Sequence, residues 1–369
     1  MPVVSALLWV VTAVAVSSCA FVQDWRDEKK GIQLESLKVP SGYQVAVFAT
    51  GLPKARHMVL GTQGTLFVGS SGGNVYALSL TGSVVTNRRI VVKGLTDPSG
   101  VAFYEGALYV ADRTRIVRFE KLEEHLDKPG EPSTVIDGLP DKARHGARAM
   151  GFGPDGKLYV SVGSPCNSCE AKNDEYGTIL RSNPDGSGKE VFARGLRNSD
   201  GFDWHPQTQE LWFTENGQDE LGPERPNDEL NRVGKVGENF GFPYCHDVNI
   251  PDPKFGSKHG CGEFTAPLFG LGAHTAALGM RFDTTEKAPG QVSLLIARHG
   301  SHPPIRVGYD VVRVQLLNGQ PERIEPFLIG FLQGRSYWGR PVDVAVMHDG
   351  SVLVSDDLNG AIYRVARER

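Results

Sequence analysis

The chain has 369 residues, 40% hydrophobic and 22% charged, the balance of a folded globular protein and not of a disordered or fibrous one. Its formal net charge of −4, with acidic and basic residues interspersed, argues against a nucleic-acid partner. The 44 glycines and 23 prolines imply many turns and therefore many short strands.

In chain order, residues 3–18, VVSALLWVVTAVAVSS, come first. This apolar run is too short to span a bilayer comfortably and reads as the hydrophobic region of an export signal. Val16-Ser17-Ser18-Cys19 resembles a bacterial lipobox. Cys19 is then the expected lipidated residue, 1–19 the signal peptide and 20–38 a tether to the domain. A plain secretory signal with an incidental cysteine is the alternative, because no Lys or Arg precedes the run. The expected location is the periplasm or cell envelope, with membrane contact through the lipid anchor alone. The other four cysteines fall into two local pairs, Cys166 with Cys169 and Cys245 with Cys261. In an oxidising compartment such pairs become disulfides. A redox or metal role for CNSC is the other reading, although Cys245 and Cys261 have the wrong spacing for a zinc ribbon.

From residue 39 onward the chain repeats. Leu66-Phe67-Val68, Leu108-Tyr109-Val110, Leu158-Tyr159-Val160, Leu211-Trp212-Phe213, Leu294-Leu295-Ile296 and Leu353-Val354-Ser355 mark six strands, most of them after a Gly turn. A strand precedes each (near 57, 100, 148, 200, 278 and 341) and another follows (near 74, 115, 178, 229, 310 and 361). Helical periodicity is confined to a short charged piece near 120–126. The pattern predicts an all-β fold, a six-bladed β-propeller over 39–369 with loop insertions on the mouth face. The alternating segment Tyr43–Ala49 is expected to close the ring as the outer strand of the last blade. The widest interval, between Leu211 and Leu294, marks an insertion over roughly 217–277 that carries the second cysteine pair.

In a propeller, residues just ahead of the inner strands gather at one mouth. Here they are Arg56-His57, Asp97, Arg144-His145 with Arg148, Arg197-Asn198-Ser199-Asp200, His274 and the stretch Arg335 to Arg340. Several guanidinium groups in a semi-enclosed place repel one another unless an anion joins them, and their planar forks suit carboxylates or phosphates. Pairing with Asp97, Asp200 or Asp343 is the competing explanation for any one arginine. A histidine among cations is held neutral and can accept a proton near pH 7. His145 stands out by position, and His274 comes second.

The stretches HGARAMGFGPDGKLYVSVGSPCNSC, GLRNSDGFDWHPQTQELWFTENGQDELG, DELNRVGKVGENFGFPYC and GRPVDVAVMHDGSVLVSDDLNGAIYRV occur in that order. Together they resemble the soluble pyrroloquinoline-quinone-dependent sugar dehydrogenases, in their sorbosone-dehydrogenase-like branch of six-bladed propellers. The resemblance implies pyrroloquinoline quinone and Ca2+ as cofactors, and oxidation of a sugar, aldehyde or polyol hydroxyl. The electrons would pass to an external acceptor, since no haem-attachment motif is present. It implies His145 as general base and Arg197 as the group that polarises the quinone oxygen. Arg148, Asn198, Arg298, Arg340 and His274 are implied for cofactor binding, and the backbone carbonyls of Gly217 and Gln218 for calcium. Three positions depart from the family's pattern. Ser164 stands where an aspartate usually follows the third-blade strand, Gln218 replaces a proline, and the fifth blade reads ARHGSHPP. Two other function classes compete. One is a non-catalytic propeller that binds a partner or carbohydrate at the same mouth. The other is a calcium-dependent lactonase, which the carboxylate-free Arg56-His57 entrance disfavours.

Overall fold

The computed structural model describes residues 31–142, 144–285, 292–302 and 305–368. The expected signal, Cys19 and residues 20–30 lie outside them. Six sheets follow one another as blades, each with four antiparallel strands; blade three adds a short fifth strand, Glu238–Asn239, in parallel at its outer edge. Blade one is built from Ala55–Leu60, Thr65–Ser70, Val75–Thr81 and Val84–Val92, and blade two from Gly100–Tyr104, Ala107–Asp112, Arg115–Glu120 and Ser133–Ile136. Blade three runs through Met150–Phe152, Leu158–Val162, Thr178–Ser182 and Glu190–Arg194, and blade four through Gly201–Trp204, Leu211–Glu215, Asn227–Arg232 and Phe269–Ala273. Blade five comprises Ala277–Asp283, Val292–Arg298, Asp310–Leu317 and Gln320–Leu328. Blade six comprises Pro341–Val346, Val352–Asp356 and Ala361–Arg367, and takes its outer strand from Tyr43–Ala49, as expected. Pairing Tyr43–Ala49 with the last strand closes the ring.

The recurring Leu-x-aliphatic strands are buried on both faces because each blade packs between two others. Leu66 and Val68 join a cluster with Leu353 and Ile362 of blade six, while Phe67 between them joins Val101 and Leu108 of blade two. Six such clusters fill the spaces between neighbouring blades. The inner strands converge so closely that a Cβ on Gly100 or Gly201 would collide with the carbonyl of Arg148 or Leu278 in the next blade. Polar groups stitch the same seam. Asp343 in blade six accepts the Met58 N–H of blade one at 2.8 Å, and Asp203 in blade four accepts the Phe282 N–H of blade five at 2.8 Å.

Two boundaries differ from the sequence expectation. Residues 31–38 are not a free tether. Ile32, Leu34 and Leu37 pack on the core between blades five and six, and Ser36 Oγ accepts the Trp338 indole N–H at 3.0 Å. The long insertion is not continuous either, because its span contains the third and fourth strands of blade four; its main excursion is 233–268. Both expected disulfides are present, Cys166–Cys169 and Cys245–Cys261. The charged piece near 120–126 reduces to one 3-10 turn, Leu122–Glu124. Among the described residues, no helix is long and apolar enough to cross a membrane.

Beneath the mouth, His57 lies with Nε2 3.2 Å from Asp200 Oδ1 and Nδ1 3.8 Å from Asp343 Oδ1. Burial opposes its charge, but the two carboxylates prevail and push its pKa up to about 9. A raised pKa means the folded state binds the proton more tightly than the unfolded one. The stabilisation is therefore complete below about pH 6.5 and lost as pH rises towards 9, amounting to about 3 kcal/mol. His57→Gln is expected to flatten the fall in unfolding free energy between pH 7 and 9. A denaturant titration with the same slope in both proteins would contradict this.

Candidate active site

The mouth encloses a cavity of about 730 Å3. All six blades contribute to its wall, through Arg56, Asp97, His145, Arg197, His299 and Arg340 among others. His145 sits in the loop entering blade three with a left-handed backbone, φ 52°. The loop approaches the strand end so closely that a Cβ on Gly163 would overlap the His145 Cβ and carbonyl. Its Nδ1 is 2.8 Å from the Ser164 carbonyl oxygen. A carbonyl only accepts, so Nδ1 carries the proton and Nε2 keeps a lone pair. The partner expected from an aspartate side chain is thus supplied by the backbone of Ser164. Burial first, and the Arg197 guanidinium second, push the imidazole pKa down to about 4. His145 is therefore neutral at physiological pH, as the sequence reading expects.

Arg197 follows the outer strand of blade three, and its side chain is only 5% exposed. Its backbone N–H and that of Asn198 both donate to Glu215 Oε1, at 2.6 and 2.8 Å, and Ser199 Oγ donates to the other carboxylate oxygen. Glu215 thereby shapes the Gly-Leu-Arg-Asn turn. Burial pushes its pKa up to about 7 against those hydrogen bonds. The Arg197 guanidinium donates to Asn167 O (2.9 Å), Asn167 Oδ1 (2.7 Å), Asn216 O (3.2 Å) and Asp219 Oδ2 (2.8 Å). Asp219 also takes Arg144 at 3.3 Å.

A second chain of charges crosses the floor. Arg340 Nη2 donates to His299 Nδ1 at 2.8 Å, so His299 bears its proton on Nε2 and donates it to Asp357 at 3.0 Å. Burial pushes the His299 pKa down, which keeps the ring neutral in that role. Asp357 then meets Arg56 at 3.4 Å, and Arg56 pairs closely with Asp200.

Of the site residues expected from sequence, His145, Arg197, Asn198, Arg340, His274 and Gly217 line this cavity. Three others do not. Arg148 is 1% exposed and donates to the carbonyls of Arg113 and Pro140, so it ties blade two to blade three. Arg298 lies directly across the strand pair from Asp310 and is held by it at 2.6 Å. Gln218 is buried behind the wall, its side chain turned to Asn167. The fifth blade presents His299 instead, one residue past the strand end. Sequence reasoning missed His299, Asp219, Asp357 and Asn167. The His-Gly-Ser stretch and the Asp-Glu after Glu-Asn-Gly-Gln were the available signals.

Asp219 occupies two guanidinium groups that an incoming carboxylate would otherwise use. Asp219→Asn is expected to tighten binding of a small tricarboxylate probe roughly two- to fivefold, the scale of a half-exposed ion pair. Titration calorimetry showing unchanged or weaker binding would mean that Asp219 does not compete for this site.

The TrAA12-like family model matches residues 37–368. An uncharacterized protein of Borreliella burgdorferi is 32% identical over 354 residues, covering 90% of this chain and 92% of its own. The aldose sugar dehydrogenase YliI of Escherichia coli is 25% identical over 200 residues, covering 47% of this chain and 50% of its own. The calcium structure of the Trichoderma reesei carbohydrate-active enzymes family AA12 protein superposes with a TM-score of 0.80 at 21% identity, covering 90% of this chain and 97% of that one. The holo form of the pyranose dehydrogenase PQQ domain from Coprinopsis cinerea gives 0.76 at 19% identity, with the same coverage of 90% and 97%. At these identities the solved structures establish the shared fold.

Proposed function

The chain belongs to the TrAA12-like family, and on that premise we propose that it is an exported, pyrroloquinoline-quinone-dependent dehydrogenase. Its substrate is a sugar, aldehyde or polyol hydroxyl, and its electrons go to an external acceptor. The E. coli and Coprinopsis relatives carry sugar-dehydrogenase names, which supports the substrate class. Lipidation at Cys19 would keep the protein at the cell envelope.

The observation that carries this reading is the pairing of two unlike groups in one cavity: an arginine whose side chain is hydrogen-bonded to no carboxylate and a histidine with a free lone pair. Arg340 is half-buried on the wall, and its side chain bonds only to neutral His299; among the described residues no carboxylate forms an ion pair with it. A polycarboxylate guest satisfies such a guanidinium. The Asn198 side-chain amide lines the same cavity and makes no hydrogen bond among the described residues. At about 730 Å3 the cavity falls within the roughly 300–1,000 Å3 usual for small-molecule sites. The carbonyls of Gly217 and Gln218 accept no hydrogen bond among the described residues, and a hard cation takes such oxygens. Gly217 lines the cavity, so it is the better placed of the two. The donor set therefore fits an anionic quinone with calcium.

Bound there, pyrroloquinoline quinone supplies the ortho-quinone that accepts a hydride. The residues of this chain do the rest. His145 Nε2 takes the proton of the substrate hydroxyl as the hydride leaves its carbon. The Ser164 carbonyl holds the ring in the tautomer that leaves Nε2 free. Four of the five Arg197 N–H groups have protein partners, which leaves one on Nη1 for negative charge that develops in the cavity.

Reconstitution tests the proposal. Purified protein with added pyrroloquinoline quinone and Ca2+ is expected to shift the quinone absorbance and to reduce a redox dye with aldoses or polyols. Absence of cofactor binding at micromolar concentration would remove the enzyme reading and leave the binding-module alternative.

A further inference from the structure

Asn167 has no part in the chemistry above, yet it touches three pieces of the site wall. It lies between the crosslinked Cys166 and Cys169. Its carbonyl accepts Arg197 Nε–H at 2.9 Å, and its Oδ1 accepts Arg197 Nη2 at 2.7 Å and the Asp219 backbone N–H at 3.1 Å. Its Nδ2 donates to Gln218 Oε1 at 3.3 Å. One residue thus presents two acceptors to one edge of the Arg197 fork. A guanidinium held through Nε and Nη2 together cannot turn about Nε–Cζ without breaking a bond, so its plane is set. Asp219 does not do this, because it offers one oxygen from a side chain 49% exposed, where water and salt screen it.

The loop bearing Asn167 is itself braced. Ser164 N–H donates to the Arg197 carbonyl at 2.7 Å. Ser168 Oγ donates to Asp252 Oδ2 at 2.8 Å, and His246 Nε2 lies 2.9 Å from the same oxygen. Glu170 takes Tyr244 OH at 2.9 Å and Lys258 Nζ at 2.6 Å. His246, Asp252 and Lys258 all lie within the loop closed by Cys245–Cys261. One disulfide loop therefore leans on the other, and the pair hold Asn167 against Arg197.

We propose that Asn167 is the positioning residue of this site: it fixes the plane of the Arg197 guanidinium and its register against the Gly217–Asp219 turn, with the Cys166–Cys169 crosslink holding it in place. The orientation of Arg197 follows from these contacts whatever the cavity binds; only its catalytic consequence rests on the function proposed above.

The test uses the full chain, isotopically labelled, without cofactor. Nitrogen-15 NMR reads the rotation of the Arg197 guanidinium about Nε–Cζ. Asn167→Ala is expected to speed that rotation roughly tenfold or more, the scale of one lost charge-assisted hydrogen bond. Asn167→Asp, which keeps the side-chain acceptor, is expected to hold the slow rotation. In cofactor-loaded protein Asn167→Ala is expected to lower kcat roughly ten- to a hundredfold with the sugar KM nearly unchanged. Rotation at the wild-type rate in Asn167→Ala would overturn the proposal. So would Asn167→Asp behaving like Asn167→Ala, since loop packing and not the acceptor would then be responsible. Failure of the wild-type protein to bind pyrroloquinoline quinone would sink the functional reading alone, because the rotation measurement does not need the cofactor.

Discussion

Replacing His145 with glutamine is expected to lower kcat roughly 10²–10⁴-fold, the usual worth of a positioned general base, while cofactor affinity changes little. Glutamine retains a donor for the Ser164 carbonyl but has no basic lone pair, so the loss isolates proton abstraction from loop geometry. The pH profile of the native protein carries the same information. With the imidazole pKa pushed down to about 4, the neutral base is the dominant form above that value. Activity is expected to be flat with respect to this group from about pH 5 upward and to fall only as pH drops through 4. An acidic limb centred near 6.5 would show that burial and Arg197 do not act on His145 as described. Native-like turnover in His145→Gln would assign the proton to another group.

The second large effect is expected at Arg197. Arg197→Gln should cost roughly 10²–10³ in kcat, as removal of a preorganised donor to developing negative charge does elsewhere. The loss of cofactor affinity should be smaller, because Arg340 and Asn198 remain. Equal losses in both quantities would make Arg197 an anchor alone. The substitution should also leave a trace on His145. Removing the guanidinium takes away a cause of its lowered pKa, so the acidic limb should move to higher pH. Burial persists, which means the shift will be partial. An unmoved limb would mean the two groups do not sense each other.

These expectations depend on contacts of very different sequence range, and that range explains what was legible beforehand. His145, Arg197, Asn198 and Arg340 were recognisable because each precedes a blade's inner strand, and that place is a property of the repeat. Arg148 shares that place, ahead of Met150–Phe152, and Arg298 ends the second strand of blade five, yet neither lines the cavity. Arg148 finds two backbone carbonyls of the neighbouring blade loop, and Arg298 finds Asp310 across its own strand pair. Which way such a side chain turns is settled by the acceptors that packing brings beside it. The arginines are also less free than their number implied. Asp219 reaches Arg144 and Arg197, and Asp200 and Asp357 flank Arg56, so the mouth is a largely compensated network in which Arg340 reaches Asp357 only through His299.

The amino-acid sequence by itself determined the blade count, the ring-closing strand and both disulfides. Each is read from strand alternation, turn residues or close spacing, which are patterns among near neighbours in the chain, even where the pairing itself, Tyr43–Ala49 against Ala361–Arg367, joins distant segments. The tertiary structure alone decided which acid meets which arginine, that a Ser164 carbonyl replaces a side-chain carboxylate behind His145, and that His299 and Asn167 belong to the site. Those contacts join residues from different blades and loops, as Arg56 does with Asp357, and only the closed ring sets the distances between them.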